Sequence, residues 1–205
     1  MSKVLVIGCG GVATVAIHKC CQVSEIFTEL CIASRTKAKC DKLAAELQGK
    51  TATKITTAQV DADDVEQLKA LINEYKPDLV MNIALPYQDL TVMDACLACG
   101  VNYMDTANYE PENTDDPEWR AVYEKRCKEA GFSAYFDYSW QWAYRKKFEE
   151  AGLTALLGCG FDPGVTQAYC AYAKKHEFDT IDTIDICPRQ LLGKRQMGRN
   201  SCYEH

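Results

Sequence analysis

Apolar residues in the first two-thirds of the chain come in two alternating patterns. Val4–Ile7 is a continuous apolar run that meets glycine at once, as a strand covered on both faces does. Val12–Val23 then reads as a helix. Leu30–Ala33 predicts a second strand, Thr36–Leu47 a second helix, and Thr53–Val60 a third strand. Asp64–Tyr75 places Val65, Leu68, Leu71 and Ile72 at helical spacing. Leu79–Ile83 predicts a fourth strand and Leu90–Cys99 a helix stopped by Gly100. Val101–Met104 predicts a fifth strand and Pro117–Ala130 a helix closed by Gly131. Such alternation favours parallel strands joined by right-handed crossovers, hence an α/β doubly wound sheet.

Past Gly131 the pattern loosens. Ser133–Tyr138 and Thr154–Leu157 suggest strands, Trp140–Glu150 a charged helix and Gly164–Lys175 another helix. Ile181–Ile186 alternates apolar and polar residues, the pattern of an antiparallel strand with one solvated face. A second α+β domain is expected to begin there. The expected division is therefore 1–135 as a nucleotide-binding domain, 136–186 as a connection and the start of a second domain, and 187–205 as a tail. That tail is basic and aperiodic, and it reads as disordered.

Composition narrows the classes without choosing a chemistry. The chain has 205 residues, 47% hydrophobic and 25% charged, an ordinary globular balance. Its net charge of −6 argues against a nucleic-acid or anionic-membrane surface. Twelve cysteines follow no repeating spacing, and most sit in apolar or helical contexts where a thiol acts as a small hydrophobe. No secretory leader or membrane-spanning run is legible. A cytoplasmic protein with reduced thiols is expected.

Gly8-Cys9-Gly10-Gly11-Val12-Ala13 follows the first strand and opens the first helix. Gly8 permits the tight turn, Gly10 admits a diphosphate against backbone, and Ala13 lets helix and strand pack closely. Dinucleotide binding is the expected function of this turn. The second strand leaves through Ala33-Ser34-Arg35-Thr36 with no carboxylate for a ribose 2′-hydroxyl. A hydroxyl and a guanidinium there suit a 2′-phosphate, so NADP is preferred to NAD. Asn82-Ile83-Ala84-Leu85-Pro86-Tyr87 leaves the fourth strand at the sheet edge where a nicotinamide would lie. Asp105, after the fifth strand, suits either a cationic amine or a turn cap. Gly158–Gly164 suits either a plain turn or ligand contact. Cys96-Leu97-Ala98-Cys99 lacks a second metal-ligand pair, and no metal site is expected. Tyr138, Trp140, Trp142 and Tyr144 read as core or interface.

Taken in order, GCGGVA, SRT, NIALPY, YMDTA and GFDPGVT resemble the saccharopine dehydrogenase-like reductases, and within them the carboxynorspermidine/carboxyspermidine dehydrogenase branch, over residues 3–186. The resemblance implies a Rossmann-type NADP-binding domain followed by a substrate and dimerisation domain, and a homodimer. It also implies NADPH-dependent reductive amination in polyamine biosynthesis, with a small amine and an aldehyde as substrates. By position it assigns Gly8, Gly10, Gly11, Val12 and Ala13 to the pyrophosphate and Ser34, Arg35 and Thr36 to the 2′-phosphate. It assigns Asp61 to the adenine side and Asn82, Ala84, Pro86 and Tyr87 to the nicotinamide. Asp105, the candidate catalytic residue, and Asp162, Pro163 and Gly164 would border the substrate. Family members are longer, and the family pattern stops at Ile186, so a truncated relative with weak or absent turnover is expected. An opine-type amino-acid dehydrogenase and a non-catalytic nucleotide-binding module are the competing readings.

Overall fold

The computed structural model describes residues 2–110, 117–118, 121, 124–125, 138–161 and 163–184. Its centre is one six-stranded sheet, built from β1 (Ser2–Ile7), β2 (Phe27–Ser34), β3 (Lys54–Gln59), β4 (Leu79–Asn82), β5 (Asn102–Asp105) and β6 (Ala155–Leu156). The order is β3-β2-β1-β4-β5-β6, and every pairing is parallel. The direction of winding reverses between β1 and β4, where such sheets open a crevice at the carboxyl ends of their strands.

Alternation along the central strands explains the three layers. Leu5 and Ile7 of β1, with Cys31, Ala33 and Val80, face a core shared with α3 (Val65–Tyr75) and α4 (Asp89–Cys99). Val4 and Val6, with Leu30, Ile32 and Met81, face the other core, which holds Ala13 and Ile17 of α1 (Gly11–Cys21) and Leu43 and Leu47 of α2 (Lys37–Leu47). Consecutive side chains of a strand point to opposite faces, so a strand with helices on both sides must be apolar at every position. Five cysteines (Cys20, Cys21, Cys31, Cys40 and Cys96) are buried in these cores as free thiols.

Local signals set the helix ends. The Asp64 carboxylate accepts from the Glu66 and Gln67 amides at 2.9 and 3.1 Å and starts α3. Gly100 adopts φ 67° to close α4.

The later part departs from expectation in two places. The charged helix expected over 140–150 is two short ones, α5 (Ser139–Trp142) and α6 (Arg145–Glu150), divided at Ala143 and Tyr144. Residues 181–184 form no strand. Residues 181–184 have no neighbouring strand to pair with among the described residues, and an unpaired run gains no ladder hydrogen bonds; residues 185–186 of that expected strand lie outside the described residues. The strand expected at Thr154–Leu157 is β6, which extends the sheet beside β5. The helix α7 (Val165–His176) matches expectation within one residue at each end. Pro117, Glu118, Ala121, Glu124 and Lys125 are helical, as expected. The rest of Pro117–Ala130, residues 133–137 of the expected strand, and residues 187–205 lie outside the described residues.

Candidate functional site

A cleft of about 440 Å³ opens at the carboxyl end of the sheet across the reversal point. Its floor is the turn between β1 and α1. Gly8 sits at φ +115°, and any Cβ there would collide with the Ile83 carbonyl after β4. Gly10 and Gly11 face open space, with nothing within 4 Å of where a Cβ would stand. Gly10 is the N-cap of α1 and supplies no side-chain bond. The first turn holds no acid. The amides of the α1 N-terminus therefore lie under an open backbone surface at the positive end of the helix dipole, a seat that fits a diphosphate.

Ser34, Arg35 and Thr36 form one corner of the cleft, as the sequence suggested, and Lys39 joins them from the next turn of α2. Arg35 reaches Asp63 only at 3.9 Å with both side chains largely exposed, a weak pairing that a phosphate can displace. Lys37 is held by Asp41 at 2.7 Å instead. Lys39 has no carboxylate partner among the described residues, so the corner presents two available cations. Its signal in the sequence was the i, i+3 spacing from Thr36, which puts both on one helix face.

The remaining expected positions divide. Val12, Ala13 and Ala84 line the cleft. Asn82, Pro86 and Tyr87 do not, and Ile83, Leu85 and Gln88 stand there instead. Val60 and Ala62 line it while Asp61 between them does not; Asp61 Oδ1 accepts from the Asp63 amide at 3.2 Å.

Asn82 is buried beneath the wall. Its Nδ2 donates to Asp89 Oδ1 at 2.7 Å, and its Oδ1 accepts from the Ala84 amide at 3.2 Å. Across the β4–β5 ladder its register partner is Asp105, which is fully buried. Asp105 Oδ1 accepts from the Gly158 amide at 2.6 Å and Oδ2 from Gln141 Nε2 at 2.7 Å. Burial pushes the Asp105 carboxyl up to about 6. Burial, reinforced by the charge of Asp105, pushes Asp89 up to about 9. Gln141 was not recognisable in the sequence, because a glutamine inside an aromatic run carries no periodic signature.

A second cleft, of about 750 Å³, lies beyond this wall and is lined by Tyr138, Trp142, Leu157–Gly160, Pro163 and α7. Gly160 packs on the Thr106 carbonyl, and Thr106 borders the first cleft, so the two share a wall. Pro163 and Gly164 line the second cleft; Asp162 lies outside the described residues.

Fold and cleft together define a dinucleotide-binding α/β domain. Residues 4–156 match the family described as "Saccharopine dehydrogenase NADP binding domain", and the chain belongs to that family. Among curated relatives, it is 49% identical over 188 residues to the carboxyaminopropylagmatine dehydrogenase of Synechocystis sp., covering 91% of this chain and 41% of the relative. It is 42% identical over 197 residues to the carboxynorspermidine synthase of Vibrio cholerae, covering 90% of this chain and 42% of the relative. It thus spans about two-fifths of these relatives. The apo saccharopine dehydrogenase (L-Glu forming) of Saccharomyces cerevisiae shares the fold, with a TM-score of 0.57 at 16% identity over 85% of this chain and 31% of that one. No helix among the described residues is long and apolar enough to cross a membrane.

Proposed function

We propose that the chain is the NADPH-binding part of an oxidoreductase of polyamine biosynthesis, acting on the C–N bond of an imine formed between aspartate β-semialdehyde and an amine. The product would be a carboxyspermidine-type compound. The observation that carries this reading is the open glycine turn under an uncapped helix, with Arg35 and Lys39 at the ribose corner of the same cleft. The relatives' names add the substrate class. Diaminopropane and putrescine are the expected amines, and the name of the Synechocystis relative adds agmatine.

In this reading NADPH supplies the hydride. The α1 amides and the Gly10–Gly11 backbone hold the diphosphate, and Ser34, Arg35, Thr36 and Lys39 hold the 2′-phosphate. Ile83–Leu85 supports the nicotinamide at the wall shared with the second cleft. Pro163, Gly164 and the Gly158–Gly160 turn border the imine. A protonated imine is already electrophilic, so placement and a field that favours positive charge matter more than a strong acid. Asp105, ionised behind the Gly158 amide, supplies that field.

The test compares NADPH with NADH on Arg35→Ala and Lys39→Ala by calorimetry. Each substitution is expected to weaken NADPH roughly 10- to 100-fold, the worth of a hydrogen bond to a charged group, and to change NADH less than about threefold. Equal losses for both nucleotides would refute the 2′-phosphate assignment. NADPH oxidation with aspartate semialdehyde and each of the three amines in turn reads out the reaction. Oxidation with saccharopine-type substrates alone would favour an opine dehydrogenase.

A further inference from the structure

Of the cluster of polar side chains beneath both clefts, that scheme uses only the charge of Asp105. Asn82, Asp89, Tyr103, Asp105 and Gln141 are each no more than 3% exposed. Two carboxylates converge on one amide nitrogen: Gln141 Nε2 lies 2.7 Å from Asp105 Oδ2 and 3.4 Å from Asp89 Oδ2. The same nitrogen lies 3.1 Å from the Ala107 carbonyl. Gln141 Oε1 accepts from the Tyr109 amide at 3.0 Å, which fixes the orientation of the amide. Two amide hydrogens then face three acceptors, and one acceptor oxygen is left over.

Neither carboxylate has a lysine, arginine or histidine partner among the described residues. The titratable groups that face the pair are Tyr103, Glu110, Tyr138 and Cys159, all acids or neutral groups. Two dry carboxylates beside one another with no cation do not both ionise.

We propose that Asp89 and Asp105 hold one proton between them, carried on Asp89, and that this neutral–anionic pair is the positioning element that keeps the wall of the first cleft in register with the turn bordering the second. On the first side the line of bonds runs from Asp89 Oδ1 through Asn82 to the Ala84 amide. On the second, Asp105 takes the Gly158 amide on its carboxylate and the Cys159 amide, at 2.9 Å, on its carbonyl. Asp89 Oδ1 accepts from Asn82 at 2.7 Å, whereas Oδ2 makes the longest of the three Gln141 Nε2 contacts, at 3.4 Å, so Oδ2 is the acceptor left over and carries the proton. A carboxyl raised to about 9 at Asp89 and about 6 at Asp105 agrees with this division. Ionising Asp89 as well would set two anions against each other and drive the two walls apart.

The linkage has a definite sign. Unfolded Asp89 ionises near pH 4 while the folded group stays protonated to about 9, so its contribution to stability is lost steadily as pH rises between those values. From pH 6.5 to 8.5 the unfolding constant of the 205-residue chain gains roughly tenfold per pH unit from this group. Asp89→Asn, which mimics the neutral acid, is expected to remove that increment. Infrared spectra at pH 7.5 are expected to show a protonated carboxyl band in the wild type that Asp89→Asn lacks. Hydrogen exchange, corrected for intrinsic rate, is expected to show the Ala84 and Gly158 amides losing protection together in Asp89→Leu and keeping it in Asp89→Asn. Equal pH slopes in the wild type and Asp89→Asn, no acid band, or independent behaviour of the two amides would each overturn the proposal. Should Asp89→Asn fail to fold, carboxyl-13C-aspartate labelling of the wild type still decides whether a protonated acid is present. None of these readouts involves nucleotide, so they stand or fall separately from NADPH binding.

Discussion

Gly8→Val is expected to give a chain that unfolds at markedly lower temperature and no longer retains NADPH. Two independent penalties meet at this residue. Its φ of +115° is closed to β-branched side chains, and the space beyond Cα is filled by the Ile83 backbone rather than by a movable side chain. Strain of about 1–3 kcal/mol and overpacking of similar size together give a loss of about 2–6 kcal/mol. For a chain of this length that is a fall in Tm of roughly 5–15 °C. Relief requires the β1–α1 turn to move away from β4, which displaces the α1 amides from the diphosphate seat. NADPH affinity should then drop by more than about 100-fold, because several charge-assisted bonds are lost together. Gly10→Ala separates the two effects. Nothing lies within 4 Å of its Cβ position, so thermal stability should hold while the methyl group intrudes on the ligand side. Unchanged nucleotide binding in both variants would remove the diphosphate from this turn.

Gln141→Leu is expected to be the most damaging single change outside the apolar cores. It removes the bonds that Asp105 Oδ2, the Ala107 carbonyl and the Tyr109 amide make to one side chain. A buried polar group left without its partner costs about 1–3 kcal/mol, more when it carries charge as the fully buried Asp105 does, and with two half-buried bonds lost beside it the change costs about 3–5 kcal/mol. Thermal denaturation should show a Tm lower by roughly 8–15 °C. The loss also depends on pH in a set direction. Gln141 stabilises the ionised form of Asp105, so removing it raises that carboxyl further above its unfolded value. A raised group contributes stability that is lost as pH rises, so the deficit of the variant should be smaller near pH 5.5 than near pH 7.5. A deficit independent of pH would place Asp105 outside the reach of Gln141.

The wall between the clefts shows where reading from sequence succeeds and where it runs out. Ser34, Arg35 and Thr36 were legible because a strand end and a helix start fix their side of the sheet. Lys39 follows from the same helix by one turn. Asn82 was legible as a residue at the right sheet edge but not in its orientation. It points down to Asp89, and Ile83, Leu85 and Gln88 take the places lining the cleft. The choice between cap and ligand for Asp105 had to remain open in the sequence, since the partners that occupy it, Gly158 and Gln141, lie 53 and 36 residues away. The expected strand at Ile181–Ile186 fails over 181–184 for a related reason: alternation describes a surface, and a strand needs a neighbour.

What the sequence determined by itself is everything carried by local period and backbone permission: the alternation of strands and helices, the doubly wound parallel class, the glycine turn and the cationic exit of the second strand. These depend on residues within a few positions of one another, where sterics and side-chain direction leave few alternatives. Tertiary structure alone decided which polar groups are solvated and which are sealed in. Two aspartates that look alike in the chain become a buried pair because β5, α4, α5 and the Gly158 turn close around them and exclude water. Charge state is then set by the company a group keeps, and that company is assembled only when distant segments meet.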